Sequence, residues 1–154
     1  MQSRLRGLTA HFHDFHLPHH GIALNALPQP VPAEAVKVAG DAIRLTQVFS
    51  NLLDNASKYT QAGGSISLSA QVHERTLVVT VRDNGIGISA TALPTVFEMF
   101  VQEEHAIVTN RSGLGIGLAV VRDLVQAHGG LVVCRSAGRN CGSEFIVSLP
   151  IVQE

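Results

Sequence analysis

The chain has no tryptophan, one tyrosine, two cysteines and few charges. The scarcity of Trp and Tyr excludes nothing; the other shortages do. Charged residues make up 15 % of the 154 positions and hydrophobic ones 45 %, a balance that suits a packed domain and not a disordered one. No sign of charge dominates: the formal net charge is −1, without a basic stripe or an acidic tail, which argues against a nucleic-acid partner. No stretch approaches the roughly 18 consecutive apolar residues of a membrane-spanning helix, so no membrane contact is expected. Residues 1–6 lack the apolar core of a signal peptide. Cys134 and Cys141 are too few for a disulfide framework or a structural zinc site, and a cytoplasmic, reducing setting is expected.

What is present reads as a single domain over residues 1–154 with a core of about residues 20–150. A helix is expected over 5–17, ending before Pro18, then a short strand over 21–26. Pro28, Pro30 and Pro32 make 27–33 an extended connection. A helix over 41–59 is predicted by Leu45, Val48, Phe49, Leu52, Leu53, Ala56 and Tyr59, which recur at three- and four-residue steps, with Asp41 placed to cap it. Two alternating stretches, 65–72 and 76–83, form strands joined by a turn near His73 and Glu74. Ile66, Leu68, Ala70 and Val72 share one face of the first; Leu77, Val79 and Val81 share one face of the second. A loop-rich middle over 84–113 contains a short helix around 93–100. A second strong helix runs over about 115–128, with Leu118, Val121, Leu124 and Val125 inward, and Gly129-Gly130 stops it. A hairpin, 131–136 and 143–149, closes the chain. The fold class is α/β: a two-layer α/β sandwich with a mixed sheet covered on one face by helices.

Four pieces carry chemistry. Asn51, Asn55 and Lys58 lie on one helical stripe that borders the apolar face, where a half-buried amide needs a partner. They read either as solvated or capping polar residues, or as an amide oxygen for magnesium and an ammonium for phosphate. Asp83, in Asp83-Asn84-Gly85-Ile86-Gly87-Ile88, continues the inward face of Leu77, Val79 and Val81. A carboxylate there satisfies an adenine amino group and repels a guanine carbonyl; Gly85 and Gly87 permit a sharp turn and close backbone approach. The alternative is an ordinary Asp-Asn-Gly turn. Gly113-Leu114-Gly115-Ile116-Gly117-Leu118 leads into the second helix, whose N-terminal N–H groups suit phosphate. Its spacing is neither that of a P-loop nor of a dinucleotide fingerprint, and a glycine-rich helix entry without phosphate stays open. Gly142-Ser143-Glu144-Phe145 opens the last strand, with the Ser143 hydroxyl on the base side.

Together and in this order, the four pieces resemble the catalytic domain of sensor histidine kinases, in the superfamily shared with DNA gyrase and the mismatch-repair ATPases. Residues 41–60, ending Asn55-Ala56-Ser57-Lys58-Tyr59-Thr60, resemble the family's N box; 83–87, 113–117 and 142–145 resemble its three glycine boxes. Val96-Phe97-Glu98-Met99-Phe100 resembles its phenylalanine box, and 93–102 has the wording of hybrid-type members. The resemblance covers roughly residues 20–150 and implies the Bergerat-type ATP-binding fold with ATP and Mg2+ as ligands. By position it implies that Asn55 binds the metal with Asn51 in support, that Lys58 and Tyr59 meet phosphate or ribose, and that Asp83 reads the adenine amine. Gly85, Gly87, Ile88 and Ser143 then lie on the base side. Gly113, Leu114, Gly115, Ile116, Gly117 and Leu118 lie on the phosphate side. Residues 98–112 form a lid anchored by Phe97 and Phe100, and Arg111 meets the γ-phosphate. The catalytic residues implied are Asn51, Lys58 and Arg111.

The hydrolases of that superfamily carry a glutamate where Asn51 stands. An amide cannot take a proton at neutral pH, so the resemblance implies a protein imidazole as nucleophile and slow ATP hydrolysis. His13-Asp14-Phe15-His16-Leu17-Pro18 imitates the family's phosphoacceptor box, but His13 stands only 38 residues before Asn51, too few for the helical hairpin that carries an acceptor. The implied partner is the helical dimerisation and phosphoacceptor domain of the same kinase, absent from this chain, with a response-regulator receiver domain as a second. Dimerisation resides in those helices, so a monomer is implied. His11, His13, His16, His19 and His20 read as a solvated helix end and not a metal site. Two competing functions share this fold: an anti-sigma-type serine kinase and a nucleotide-sensing regulatory module.

Overall fold

The computed structural model describes residues 2–4, 23–26, 36–98 and 117–152. The expected helix over 5–17, the proline connection, most of the lid, Phe100, Arg111 and residues 113–116 lie outside the described residues.

A five-stranded sheet organises the chain. Its strands are β2 (Ala23–Ala26), β4 (Ser65–His73), β5 (Thr76–Asp83), β6 (Leu131–Arg135) and β7 (Ser143–Pro150), in the order β2-β4-β5-β7-β6. The β2–β4 pair is parallel and the others antiparallel, so the sheet is mixed as expected. A two-stranded sheet, β1 (Gln2–Arg4) with β3 (Lys37–Ala39), was not foreseen. Neither segment alternates apolar with polar residues over more than three positions, and both strands exist through non-local pairing. β3 is also bridged to the C-terminal end of the chain through Val38 and Ile151, and the Val152 N–H donates to the Lys37 carbonyl at 2.8 Å.

Helix α1 (Ala42–Tyr59) begins at Asp41, whose Oδ1 accepts from the Ile43 N–H at 2.9 Å and the Arg44 N–H at 3.4 Å. These are two of the donors that a helix start leaves without partners. Helix α2 (Gly117–Ala127) ends in a Schellman turn: the Gly130 N–H bonds the Val125 carbonyl and the Gly129 N–H bonds that of Gln126, with Gly129 at φ 72°. The helices run antiparallel. At one end the His128 Nε2 accepts from the Asp41 N–H at 3.1 Å, while its Nδ1 lies 2.7 Å from the Leu124 carbonyl. At the other end the Asn51 Nδ2–H reaches the Gly117 carbonyl at 3.4 Å.

The core lies between the helices and one sheet face. Leu45, Val48, Phe49, Leu52, Leu53 and Ala56 of α1 and Val121 and Val125 of α2 pack on Ile66, Leu68, Leu77, Val79, Val81, Phe145, Val147 and Leu149. Tyr59 is half-buried, whereas Ser57, not foreseen as inward, is fully buried. Val72, expected to continue the inward face of β4, is exposed, because the hairpin tip extends beyond the helices. Of the short helix expected around 93–100, the described residues hold a single 3-10 turn, Leu93–Thr95, followed by further turns through Glu98. Its bonds reach three residues back, as in Thr95 N–H to Ala92 and Glu98 N–H to Thr95. Among the described residues no helix is long and apolar enough to cross a membrane.

Ser57 Oγ is buried without a hydrogen-bond partner among the described residues. Ser57→Ala removes an unsatisfied hydroxyl and substitutes a better helix former, so stability should rise by about 1 kcal/mol. On this chain length that corresponds to a gain of roughly 2–4 °C in Tm, readable by calorimetry; a lower Tm would mean that the hydroxyl has a partner.

Candidate functional site

The register of β5 and β7 places Asp83 opposite Ser143 at one end of the sheet. Because Asp83 follows Leu77, Val79 and Val81 at two-residue steps, its side chain turns to the helix-covered face and is 5 % exposed. The carboxylate accepts from the Gly85 N–H at 2.9 Å through Oδ1, and from the Ser143 hydroxyl at 2.7 Å through Oδ2. Burial raises its pKa above the usual carboxylate value, and the bonds from Ser143 and Gly85 offset only part of that rise.

The chain leaving β5 is pinned against the last turn of α1. The Ile86 N–H donates to the Tyr59 carbonyl at 3.0 Å, and a Cβ on Gly85 would stand 2.0 Å from that carbonyl oxygen. Glycine is therefore required at position 85 by contact. On its other side the turn meets the β6–β7 loop: the Asn140 N–H bonds the Ile86 carbonyl at 2.7 Å and the Gly142 N–H bonds that of Gly85 at 3.1 Å. Gly87, at φ 69°, lies so close to Gly138 that a Cβ would come within 2.1 Å of the Gly138 carbonyl oxygen. Ile88 is buried in the core, and its N–H donates to the Ser136 hydroxyl at 3.0 Å.

These contacts bring Asp83, Gly85, Gly87, Ile88 and Ser143 together at the C-terminal turn of α1. Asp83 and Ser143 touch directly; Gly85 joins them to Tyr59 and so to the turn of α1 that carries Asn55 and Lys58, both half-buried. Asn51 links that helix to Gly117, the first residue of α2, beside half-buried Leu118. Phe97 packs edge-on against Phe145 with ring centroids 6.0 Å apart, which anchors the segment around residue 97 to the core. Gly113, Leu114, Gly115, Ile116, Phe100 and Arg111 lie outside the described residues. Ser136 was missed in the sequence. The available signal was a hydroxyl two residues before Gly138 at a strand exit, which reads as a common turn.

The two thiols differ sharply. Cys141 is exposed, whereas Cys134 on β6 is half-buried and its pKa is pushed up to about 12, by burial first and by the Asp83 charge second. Thiolate is the reactive form, so iodoacetamide at neutral pH should label Cys141 alone. Intact mass should show a single adduct; a second adduct on the folded protein would contradict this burial.

The family described as Histidine kinase-, DNA gyrase B-, and HSP90-like ATPase matches residues 40–153. Sensor histidine kinase AtsR of Burkholderia thailandensis is 40 % identical over 132 residues, which is 83 % of this chain and 21 % of that protein. Signal transduction histidine-protein kinase BaeS of Escherichia coli is 34 % identical over 121 residues, 79 % of this chain and 26 % of that protein. Of solved structures, the mycobacterial sensor histidine kinase MprB matches with a TM-score of 0.81 at 23 % identity, over 100 % of this chain and 99 % of that one. Full-length ShkA in complex with AMPPNP matches with a TM-score of 0.79 at 28 % identity, over 100 % of this chain and 31 % of that one. The chain thus spans about a quarter or less of these two curated relatives.

Proposed function

Because this chain belongs to the histidine kinase-, DNA gyrase B- and HSP90-like ATPase family, we propose that it binds Mg-ATP and donates the γ-phosphoryl group to a histidine on a helical phosphoacceptor domain, in two-component signalling. One observation carries the reading. A buried carboxylate, Asp83, stands at the end of the sheet with glycines pressed against backbone on either side of the turn that follows it.

The residues present fit the ligand. A carboxylate has about four acceptor positions; Asp83 uses some of them for Gly85 and Ser143 and keeps capacity for an exocyclic amine. A guanine carbonyl at the same place would face a carboxylate and be repelled. Asn55 offers a neutral amide oxygen, a hard ligand suited to magnesium, which keeps several waters and needs few protein contacts. When bound, the metal neutralises charge that develops on the phosphate oxygens. Lys58 supplies positive charge on the same helical stripe, and the start of α2 adds backbone N–H groups for the phosphates. Arg111 is proposed to meet the γ-phosphate, and residues 98–112 to close over the nucleotide. ShkA, a relative in fold, is known in complex with AMPPNP.

In the transfer, the bond from the γ-phosphorus to the ADP oxygen breaks as one to an imidazole nitrogen forms; ADP departs and the imidazole proton passes to solvent. Asn51 does not assist a water. Its amide cannot accept a proton, and its Nδ2–H is directed to the Gly117 carbonyl. Hydrolysis in the absence of the acceptor domain is therefore slow. The partner is the helical domain of the same kinase, with a receiver domain as a further acceptor downstream.

Calorimetric titration with ATP, ADP and GTP, with and without magnesium, tests the site: adenine nucleotides should bind, more tightly with magnesium, and GTP should not. Adding a purified helical acceptor domain should then yield acid-labile phosphate on it. Binding without transfer to any acceptor would favour a nucleotide-sensing module, and acid-stable phosphate would favour a serine kinase.

A further inference from the structure

We propose that Ser136 is a positioning residue of the nucleotide site, whose hydroxyl ties the glycine turn at 85–88 to the backbone just before Ser143 and so aims the Ser143 hydroxyl at Asp83. The inference rests on the ATP reading above and adds a residue outside every motif that carried it.

Ser136 follows the last residue of β6 and is half-buried. Its Oγ accepts from the Ile88 N–H at 3.0 Å and from the Gly138 N–H at 3.3 Å, and donates to the Gly142 carbonyl at 2.7 Å, with the Gly138 carbonyl at 3.3 Å. A serine hydroxyl has one donor and two acceptor positions. All are engaged, so the group has no rotational freedom left.

Both ends of this junction reach the base-reading pair. Gly142, held through its carbonyl, adopts φ 70° and donates its N–H to Gly85. The next residue is Ser143, whose Oγ–H bonds Asp83 Oδ2 at 2.7 Å. Strand register sets Ser143 opposite Asp83, but the hydroxyl reaches the carboxylate only if the peptide entering β7 is held in one orientation. Ser136 holds that peptide. Its other partner, Ile88, belongs to the turn whose Gly85 donates to Asp83 Oδ1. The Gly85 side of that turn is held independently by the Gly142–Gly85 and Ile86–Tyr59 backbone bonds, so the effect of Ser136 on the carboxylate runs through Ser143. The Asn140–Ile86 and Gly142–Gly85 backbone bonds do not depend on it, so its removal should loosen the pair without unfolding the sheet.

The test is ATP affinity measured across pH for the wild type, Ser136→Ala, Ser136→Thr, Ser143→Ala and the double variant Ser136→Ala/Ser143→Ala. Ser136→Ala should weaken ATP binding about tenfold, the scale of one lost hydrogen bond. It should also move the acid limb of binding to higher pH, because Asp83 loses a bond that opposes the effect of burial. Threonine should restore both, and the double variant should bind no worse than Ser143→Ala alone. If Ser136→Ala does not fold, Ser136→Cys, with a weakly donating thiol, carries the same expectation. Additive losses in the double variant, or an unmoved acid limb, would overturn the inference while wild-type ATP binding left the parent reading intact. A wild type that fails to bind ATP would remove both.

Discussion

Asp83→Asn is expected to strengthen the folded chain at neutral pH and to weaken ATP binding about a hundredfold. Both effects follow from one buried carboxylate. Burial raises the Asp83 pKa in the folded state above its value in the unfolded chain, so the folded state holds the proton more tightly. Stability is then highest below the unfolded pKa, falls as pH rises through the folded pKa, and carries the whole desolvation penalty above it. Asparagine cannot ionise and escapes that penalty. Its Oδ1 still accepts from the Gly85 N–H, and the Ser143 hydroxyl can rotate to accept from the new amide. Denaturation of both proteins over a pH series should show a difference in Tm that is small in acid and grows towards neutrality in favour of the variant.

Nucleotide binding should respond in the opposite sense. An adenine amine needs an acceptor, and the amide presents a donor to it, leaving two buried N–H groups face to face. In the wild type, ATP affinity should fall as pH drops through the raised pKa, where the carboxylate takes up its proton. Calorimetry on the variant should show ATP binding weakened on that scale while the fold is retained. Unchanged ATP affinity would sink the assignment of Asp83 as the base reader, and a variant less stable at neutral pH would show that the ionised carboxylate contributes more to the fold than burial costs.

Among the described glycines of the motifs, Gly87→Ala should be one of the most damaging single methyls, alongside Gly142→Ala, and Gly117→Ala the least. A Cβ at 87 would come within 2.1 Å of the Gly138 carbonyl oxygen and 3.2 Å of that of Gly142, from a backbone at φ 69°. The neighbours are backbone atoms and cannot swing aside. Left-handed strain of about 1–2 kcal/mol adds to an overpacking cost of roughly 1–3 kcal/mol, so Tm should fall by about 5–15 °C and ATP binding should be lost with it. Among the described residues a Cβ at 117 would meet nothing within 4 Å, and alanine removes freedom from the unfolded chain; the folded state should be as stable as before or slightly more so. Thermal melts of the two variants side by side decide the matter. Equal losses would mean that the two glycine boxes are constrained by the same packing, which the contacts do not support.

Periodicity was enough for α1, β4, β5, β6 and β7, because each is long enough for one face to repeat several times. The inward direction of Asp83 followed from the same alternation, and Asp41 as a cap followed from its place before an apolar repeat. The order of the four glycine- and asparagine-bearing pieces was sufficient to place the chain in its family, since those residue types answer local demands of turn and contact. Strands β1 and β3 were illegible. Three residues cannot display a period, and their pairing is a property of two segments more than thirty residues apart. In the described part of the segment expected as a short helix around 93–100, the helix is a 3-10 turn at Leu93–Thr95, because Pro94 and the apolar residues near it are equally compatible with that tighter form.

The sequence by itself determined the family and which residues are proposed to meet a nucleotide, because chemistry is local: a carboxylate at a strand's end, an amide on a helix, glycine where the chain must turn. Only the tertiary structure decided how they act together. It raised the Asp83 pKa by burying it, pressed Gly85 on Tyr59 and Gly87 on Gly138, and set Ser136 between two loops separated by fifty residues of chain. Desolvation, close contact and hydrogen bonding across strands depend on distances in space, and no spacing along the chain encodes them.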